Sequence, residues 1–336
     1  MPSHGSTANV PPLPVNPPTA LTSPSALPAE GTQRSQHLSP PHPIDASQLA
    51  RLVGVEAPHS VALTSWTQVE SPLPTATLWA GTLIDPGGRA AIPCLLYRPR
   101  AGKSRGAVVA IHQHNDEYQW GKSEPAGLAG DPAAAYGLRM AQKSFTVIMP
   151  DLDCFESRRS PDENDVRYEL SLALNAVALG KSLHAQYVAD ALLCARYLEQ
   201  HEGADRGVSV IGHSLGGQIA FLCLAIDPAI ERGVVSCGLT TYESCGQSNV
   251  LHNPGWYIPG LQAHGGYQGI AAAIRGKKIL STAAEDDIPF PSEGAREVQA
   301  AFPEGVADTS WRKGPHELNE EALQFMTDWL AHACES

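Results

Sequence analysis

A serine at the centre of a short glycine-flanked pattern could act as a nucleophile. Residues 212–216 read Gly-His-Ser-Leu-Gly, which places Ser214 between two glycines. The run 208–211, in which three of four residues are β-branched, precedes this pattern, and the mostly apolar residues 218–225 follow it. Such a sequence is typical of a strand that turns sharply into a helix, with the glycines leaving room in a strained turn. The sequence therefore predicts a nucleophile elbow that carries Ser214.

A serine hydroxyl needs a general base that takes its proton and an acid that orients the base. In chains with this type of elbow, the order along the sequence is serine, acid, histidine. Four histidines follow the serine: His252, His264, His316 and His332. The first two precede the expected acid, and the last lies within a predicted C-terminal helix. His316, in a loop between a strand and that helix, is the predicted base.

The acid is expected in the loop that follows the strand predicted at 278–282. This loop contains three consecutive carboxylates, Glu285, Asp286 and Asp287. Only one of them can hold the tautomer of a single imidazole and stabilise the imidazolium ion. We favour Asp287, with Asp286 as the alternative.

The oxyanion that develops during acyl transfer needs two preorganised donors. One is expected to be the backbone N–H of Leu215, directly after the nucleophile. The other should come from the loop after the strand at 106–112, where His114 is favoured and Gln113 is the alternative. Both residues would donate through the backbone.

The same loop also permits other interpretations. His112 and His114, with Asp116 and Glu117 nearby, could be read as metal ligands. The nucleophile pattern explains the loop without a metal, so we expect neither a metal site nor a cofactor. The triplet at 121–123, Gly-Lys-Ser, lacks the upstream glycine of a phosphate-binding loop.

Aromatic residues in loops near the expected strand ends are candidates for the substrate pocket. The alternative is that these side chains pack within a covering segment. The candidates are Trp120, Tyr242, Trp256 and Tyr257.

Strands alternate with helices from residue 75 onward, which predicts a mostly parallel, doubly wound α/β sheet with its site at the carboxyl ends of the strands. The predicted strands are 75–84 and 90–98 around a turn at 85–88, then 106–112, 145–149, 208–211, 232–237, 278–282 and a short one near 310–311. The predicted helices are 131–143, 181–201, 218–225, 266–275, 293–301 and 317–332.

Composition divides the chain into two regions. Residues 1–45 contain eleven of the 28 prolines and few apolar side chains, so a disordered leader is expected there. Residues 46–336 are expected to form one α/β domain. The stretches at about 152–180 and 239–265 are long for simple connections, and we expect them to cover the site as small lid-like insertions.

The bulk properties restrict the partners. The formal net charge is −12 and the basic residues form no stripe, so nucleic acid is not an expected partner. No run of 18 apolar residues occurs, which argues against a membrane span, and no signal peptide is recognised. The seven cysteines include no Cys-x-x-Cys pair and favour a reducing, cytoplasmic location. The sequence points to no particular oligomeric state.

With these residues identified, the chain resembles the dienelactone hydrolase and acetyl-xylan-esterase-like branch of the α/β-hydrolase superfamily, from about residue 75 to the C-terminus. The resemblance implies the α/β-hydrolase fold and a serine hydrolase without a cofactor, whose triad positions fall on Ser214, Asp287 and His316. It rests on the blocks 112–115, 121–124, 150–152, 154–159, 180–183, the elbow, Asp287 with 290–291, and 314–317.

The expected function is that of a serine hydrolase that cleaves a carboxylic ester or related acyl compound in a small-molecule substrate. An acyltransferase, a cyclase or an amidase could use the same three residues. A hydrolase-like binding protein without catalytic activity is a further alternative, although such a protein has no physical need to keep all three.

Overall fold

The computed structural model of the protein describes residues 44–55, 61–85, 87, 91–162, 164–204 and 207–335. The leader predicted for residues 1–45 therefore lies outside the described residues, apart from its last two positions. The turn predicted at 85–88 is described only in part.

A sheet of nine strands forms the centre of the described part of the chain. The strand order is β1-β2-β3-β5-β4-β6-β7-β8-β9. The first three strands and β5 pair antiparallel, whereas the pairs from β5 through β4 to β9 are all parallel. The predicted mostly parallel sheet is confirmed. The strands are Ala62–Val69 (β1), Ala76–Ile84 (β2), Ala91–Pro99 (β3), Ala107–Ile111 (β4), Thr146–Pro150 (β5), Val208–His213 (β6), Ile230–Ser236 (β7), Lys278–Ala284 (β8) and Ala307–Arg312 (β9).

Helices cover both faces of this sheet. Alternate residues of β4 contribute to two different hydrophobic clusters, Val109 to one and Val108 to the other, because successive side chains of a strand point to opposite faces. The helices are Ala46–Val53 (α1), Tyr136–Gln142 (α2), Asp165–Ala178 (α3), His184–His201 (α4), Leu215–Ile226 (α5), Tyr242–Gln247 (α6), Gly266–Ala273 (α7), Ser292–Ala301 (α8) and Glu320–Ala333 (α9). Short 3-10 turns lie at Pro132–Ala134, Glu156–Arg158, Pro254–Trp256 and Leu261–His264.

Four helices and strands were not predicted from the sequence: β1, α1, α3 and α6. Strand β1 lies at the edge of the sheet and pairs with β2. Its exposed polar residues conceal the two-residue alternation that identifies a strand. Helix α3 lies inside the 152–180 insertion. In the range predicted as a helix at 131–143, Asp131 caps a separate 3-10 segment, and α2 begins only at Tyr136.

The elbow between β6 and α5 is the most crowded backbone contact near the sheet's carboxyl edge. A Cβ atom on Gly212 would lie 2.2 Å from the carbonyl carbon of Gly216, and one on Gly216 would lie 2.0 Å from the carbonyl oxygen of Ile111. Both distances are far below contact distance. The two glycines therefore allow the elbow to pack directly against the end of β4.

We predict that Gly216→Ala destabilises the protein by several kcal/mol, because the methyl group can fit only if the elbow separates from β4. Gly246→Ala is the matched control. It lies in helix α6, where an added Cβ would meet nothing within 4 Å. Alanine is favoured over glycine within a helix by about 1 kcal/mol. Thermal unfolding measures both variants, and equal melting temperatures would contradict the packing described.

Candidate active site

Ser214 occupies a strained backbone position between strand β6 and helix α5. Its φ of 55° and ψ of −121° lie in a region that side-chain-bearing residues rarely adopt. The turn is held by the Ser214 N–H, which donates to the carbonyl of Ser236 over 2.9 Å, and by the Ser214 carbonyl, which accepts from Gln218 N–H. Ser214 is 8% exposed. The hydroxyl is thus presented at the carboxyl edge of the sheet by a rigid turn.

His316 and Asp287 meet at the same edge. Nδ1 of His316 lies 2.8 Å from Oδ2 of Asp287, while Oδ1 of Asp287 accepts the Phe290 N–H over 2.8 Å. A carboxylate accepts from Nδ1–H, which leaves Nε2 of the neutral ring as the basic nitrogen. The contact buries both groups, since the two residues are 9% and 7% exposed.

The other two acids of this loop lie elsewhere. Asp286 is exposed and accepts the Gly314 N–H through Oδ2 over 3.2 Å, so it supports the loop that carries His316 without contacting the ring. Glu285 is also exposed. Of the three candidates, the structure brings only Asp287 to the imidazole.

Two rings fix the plane of His316. Phe290 stacks on it with ring centroids 5.3 Å apart, and His213 lies on it at 4.7 Å. Burial holds the pKa of His213 well below its usual value, so this neighbour stays neutral. Its Nδ1 is 3.0 Å from the hydroxyl of Ser236. His316 is therefore oriented by packing as well as by its hydrogen bond.

Leu215 and the loop after β4 lie beside the serine. Leu215 is the first residue of α5, so its N–H belongs to the helix N-terminus, where amides lack intrahelical partners. The loop starts with His112. Its Nε2 accepts the Leu152 N–H over 3.2 Å, so Nδ1 carries the proton and donates to the Gln113 carbonyl over 2.8 Å. Burial lowers the pKa of His112, which keeps this tautomer neutral.

Two buried carboxylates hold the side chains that follow in this loop. Nε2 of Gln113 donates to Oε1 of Glu124 over 2.9 Å. The His114 ring lies 3.1 Å from Glu169 on helix α3 through Nε2, and its Nδ1 accepts the Asp116 N–H over 3.0 Å. The sequence identified both His114 and Gln113 but neither carboxylate, because Glu169 is 55 positions from His114 and no local pattern connects them.

The Gly-Lys-Ser triplet at 121–123 links the loop after β4 to the loop after β5 through hydrogen bonds. The N–H groups of Gly121 and Ser123 donate to Oε2 of Glu156, over 3.1 Å and 2.9 Å. The ammonium group of Lys122 donates to Glu156 over 2.6 Å and to the fully buried Asp151 over 3.0 Å. These amides thus bind a carboxylate of the protein itself.

Three of the four candidate pocket aromatics pack against one another in the 239–265 insertion. Tyr242 stacks on Tyr257 with centroids 5.9 Å apart, and its hydroxyl donates to the Trp256 carbonyl over 3.1 Å. The fully buried Trp256 stacks on Tyr267 at 3.9 Å and lies 6.0 Å from the Phe290 ring. Trp120 is half-buried in the loop after β4. The aromatic cluster thus reaches His316 through Phe290.

Cys237 is a further residue that the sequence did not single out. It follows β7, and its Sγ, an oxygen of Asp287 and a ring nitrogen of His316 lie within 4.8 Å of one another. A thiolate, a carboxylate and an imidazole are ligand types that a soft divalent ion such as Zn²⁺ prefers. The positive charge of Arg312 acts on the same thiol and would repel a metal cation there. Burial also raises the pKa of Cys237 to about 12, which favours the protonated thiol over the thiolate. All seven cysteines are buried and free.

No family model matches the chain. The chain is 26% identical to "Putative hydrolase YtaP" of Bacillus subtilis (strain 168), in an alignment that covers 74% of this chain and 87% of that protein. Among the described residues, no helix has the length and hydrophobicity that crossing a bilayer requires.

Solved structures with the same architecture include several esterases. Acetyl xylan esterase 1 from Thermoanaerobacterium sp. JW/SL YS485 superposes with a TM-score of 0.60 at 15% identity, covering 88% of this chain and 95% of that one. A Klebsiella pneumoniae protein named as a putative dienelactone hydrolase gives a TM-score of 0.54 at 15% identity, with 83% and 100% covered. These similarities confirm the predicted α/β-hydrolase fold and the resemblance to this branch at the level of fold.

The buried Glu124 predicts a specific pH dependence of stability. Burial raises its pKa to about 7, so the unfolded chain releases this proton at lower pH than the folded protein does. Between these two pKa values the folded state holds the extra proton, and stability falls as pH rises. A shift of this size corresponds to roughly 3 kcal/mol.

We therefore expect wild-type protein to lose roughly 2–3 kcal/mol more unfolding free energy between pH 5 and pH 8 than Glu124→Gln, whose amide oxygen can still accept from Gln113. The exposed Glu304 supplies the control, Glu304→Gln, which should follow the wild type. Denaturant titrations at the two pH values give the measurement. The same change in unfolding free energy between pH 5 and pH 8 in all three proteins would rule out a raised pKa at Glu124.

Proposed function

We propose that the protein is a serine hydrolase that cleaves a carboxylic ester, or a related acyl compound, through an acyl-enzyme on Ser214. The observation that carries this proposal is the 2.8 Å contact between His316 and Asp287 at the same sheet edge as the strained Ser214 turn. Base, orienting acid and nucleophile then come from the ends of three parallel strands, β9, β8 and β6.

In the proposed reaction, Oγ of Ser214 attacks the substrate carbonyl carbon while Nε2 of His316 takes the hydroxyl proton. Asp287 stabilises the imidazolium ion that forms and keeps Nδ1 protonated. Collapse of the tetrahedral intermediate breaks the ester C–O bond, and the leaving alkoxide receives the proton from His316. Water then attacks the acyl-enzyme with His316 as base, which releases the acid and restores Ser214.

The oxyanion of this intermediate would accept two backbone hydrogen bonds. Leu215 supplies one from the N-terminus of α5, and His114 supplies the other, with Gln113 as the alternative. A fixed donor contributes more than a mobile one because it needs no reorganisation in the transition state. The side-chain hydrogen bonds that hold Gln113 and His114 suit this role.

An ester substrate is supported by the similar solved structures, among which acetyl xylan esterases recur. We further propose that the 152–180 and 239–265 insertions cover the site and that Trp120, Tyr242, Trp256 and Tyr257 contribute to the substrate pocket. The packing of Trp256 against Phe290, which itself stacks on His316, supports this placement.

The proposed nucleophile is tested with p-nitrophenyl acetate. Ser214→Ala should lower kcat/KM by roughly 10⁴-fold or more, because no acyl-enzyme can form, while leaving the melting temperature near that of wild type. Ser248→Ala, an exposed serine at the end of α6, is the control and should retain full activity. Wild-type turnover in the Ser214→Ala variant would refute the proposed function.

The choice of acid is tested by a matched pair of neighbouring substitutions. Asp287→Asn should lower kcat by roughly 10³- to 10⁴-fold, since an amide that donates to Nδ1 favours the wrong tautomer of His316. Asp286→Asn should stay within a few-fold of wild type because Asp286 binds only the Gly314 amide. Steady-state kinetics decide, and the reverse ranking would assign the acid to Asp286.

A further inference from the structure

Helix α3 attaches to the body of the protein through carboxylates. A surface helix normally buries its apolar residues and exposes its polar ones. In α3 the buried residues are Asp165, Glu169 and Ala173, whereas four large apolar side chains on the helix are 47–67% exposed. Those four are Val166, Leu170, Leu174 and Val177. Apolar packing therefore does not by itself explain where this helix lies.

Each buried carboxylate of α3 binds a different segment of the chain, Asp165 the residues just before the helix and Glu169 the loop after β4. Asp165 accepts from the guanidinium group of Arg159 over 2.6 Å and from the Ser160 N–H over 3.2 Å. Glu169, which is 3% exposed, faces the loop after β4 and binds two side chains of that loop. Apolar contact with the core is added by two half-buried residues of the helix, Tyr168 and Leu172. Only Glu169 therefore connects the helix to a residue of the proposed oxyanion hole.

Glu169 completes the set of bonds around His114. Because Nδ1 of His114 accepts the Asp116 N–H, the proton of the neutral ring lies on Nε2 and points to Oε2 of Glu169, 3.1 Å away. The Tyr118 hydroxyl donates to the same oxygen over 2.8 Å. His114 thus has both ring nitrogens engaged, one by its own loop and one by α3.

The backbone next to His114 needs such support. The two following residues, Asn115 and Asp116, have φ values of 49° and 53°, in the left-handed region. Residues held there cost of order 1 kcal/mol each and persist only where surrounding contacts determine the conformation. The His114 ring is part of these contacts, since it binds the Asp116 amide directly.

From this geometry we infer that Glu169 is a positioning residue for the oxyanion hole. Its carboxylate fixes the His114 ring, and the ring fixes the strained turn that aims the His114 N–H at the reacting carbonyl. In this proposal the 152–180 insertion holds the loop after β4 in place in addition to covering the site. The inference rests on the proposed function, because that proposal makes the His114 N–H the second donor to the oxyanion.

The test compares Glu169→Met, which keeps the side-chain length but offers only a weakly accepting thioether sulfur, with Glu169→Gln, whose amide oxygen can accept from both His114 and Tyr118. Ser171→Ala is the matched control on an exposed position of the same helix. Each protein is assayed with p-nitrophenyl acetate for kcat and KM, and its thermal unfolding is recorded.

A boronic acid serves as the second readout. The Ser214 oxygen bonds to boron, the hydroxyl proton passes to His316, and the resulting tetrahedral anion resembles the intermediate. The affinity for phenylboronic acid should therefore depend on the oxyanion donors. A merely structural change would leave the ratio of its inhibition constant to KM unaltered.

We expect Glu169→Met to lower kcat by roughly 10- to 100-fold, less than the full loss of a donor. KM should change by less than about threefold, and the inhibition constant of phenylboronic acid should rise in parallel with the fall in kcat. Glu169→Gln should recover most of the activity, and Ser171→Ala should match wild type.

Three results would overturn the inference. The first is a Glu169→Met variant as active as Ser171→Ala, and the second is a fall in kcat with unchanged boronic acid affinity. The third is a Glu169→Gln variant that folds but does not recover the activity, which would contradict the role assigned to the hydrogen-bond acceptor and would decide the test if Glu169→Met does not fold. Failure of the proposed function looks different, since wild type itself would then lack activity that depends on Ser214.

Discussion

The close contact between the elbow and strand β4 is the constraint on which the rest of the site depends. Without side chains at Gly212 and Gly216, the turn that carries Ser214 packs onto the last residues of β4. The N-terminus of α5 therefore lies next to the loop that follows β4. In the proposed mechanism, these are the two sources of oxyanion donors, and their separation is set by backbone packing that cannot adjust without unfolding the elbow.

Buried and half-buried carboxylates fix the loops around this rigid centre. Asp151 and Glu156 bind Lys122 and two amides of the loop after β4, while Glu124 and Glu169 bind Gln113 and His114. Burying a carboxylate is costly unless its oxygens are satisfied, and removal of one partner leaves the other group unpaired. Such contacts contribute modestly to stability but permit one arrangement of the loop. For oxyanion stabilisation, that fixed geometry matters more than stability.

The sequence predicted the centre of the site better than its support. The elbow, most of the strands and the loops that carry Asp287 and His316 follow from local patterns, because each catalytic candidate directly follows a recognisable strand. The choice among the three acids depends on which one is buried against the imidazole, and a run of adjacent carboxylates contains no such information. Helix α3 was missed because four of its large apolar residues face solvent. Glu169 was missed because its partner is 55 positions away, and only the folded chain brings the two together.

The most direct test of the proposed function is to map a covalent label on the wild-type protein. A fluorophosphonate forms a stable phosphonyl ester with an activated serine, and tryptic mass spectrometry then identifies the modified peptide. The proposed mechanism predicts one adduct per chain at Ser214, with labelling slowed at least 100-fold in His316→Ala, since the base no longer accepts the hydroxyl proton. Labelling at another residue, or an unchanged rate at Ser214 without His316, would contradict it.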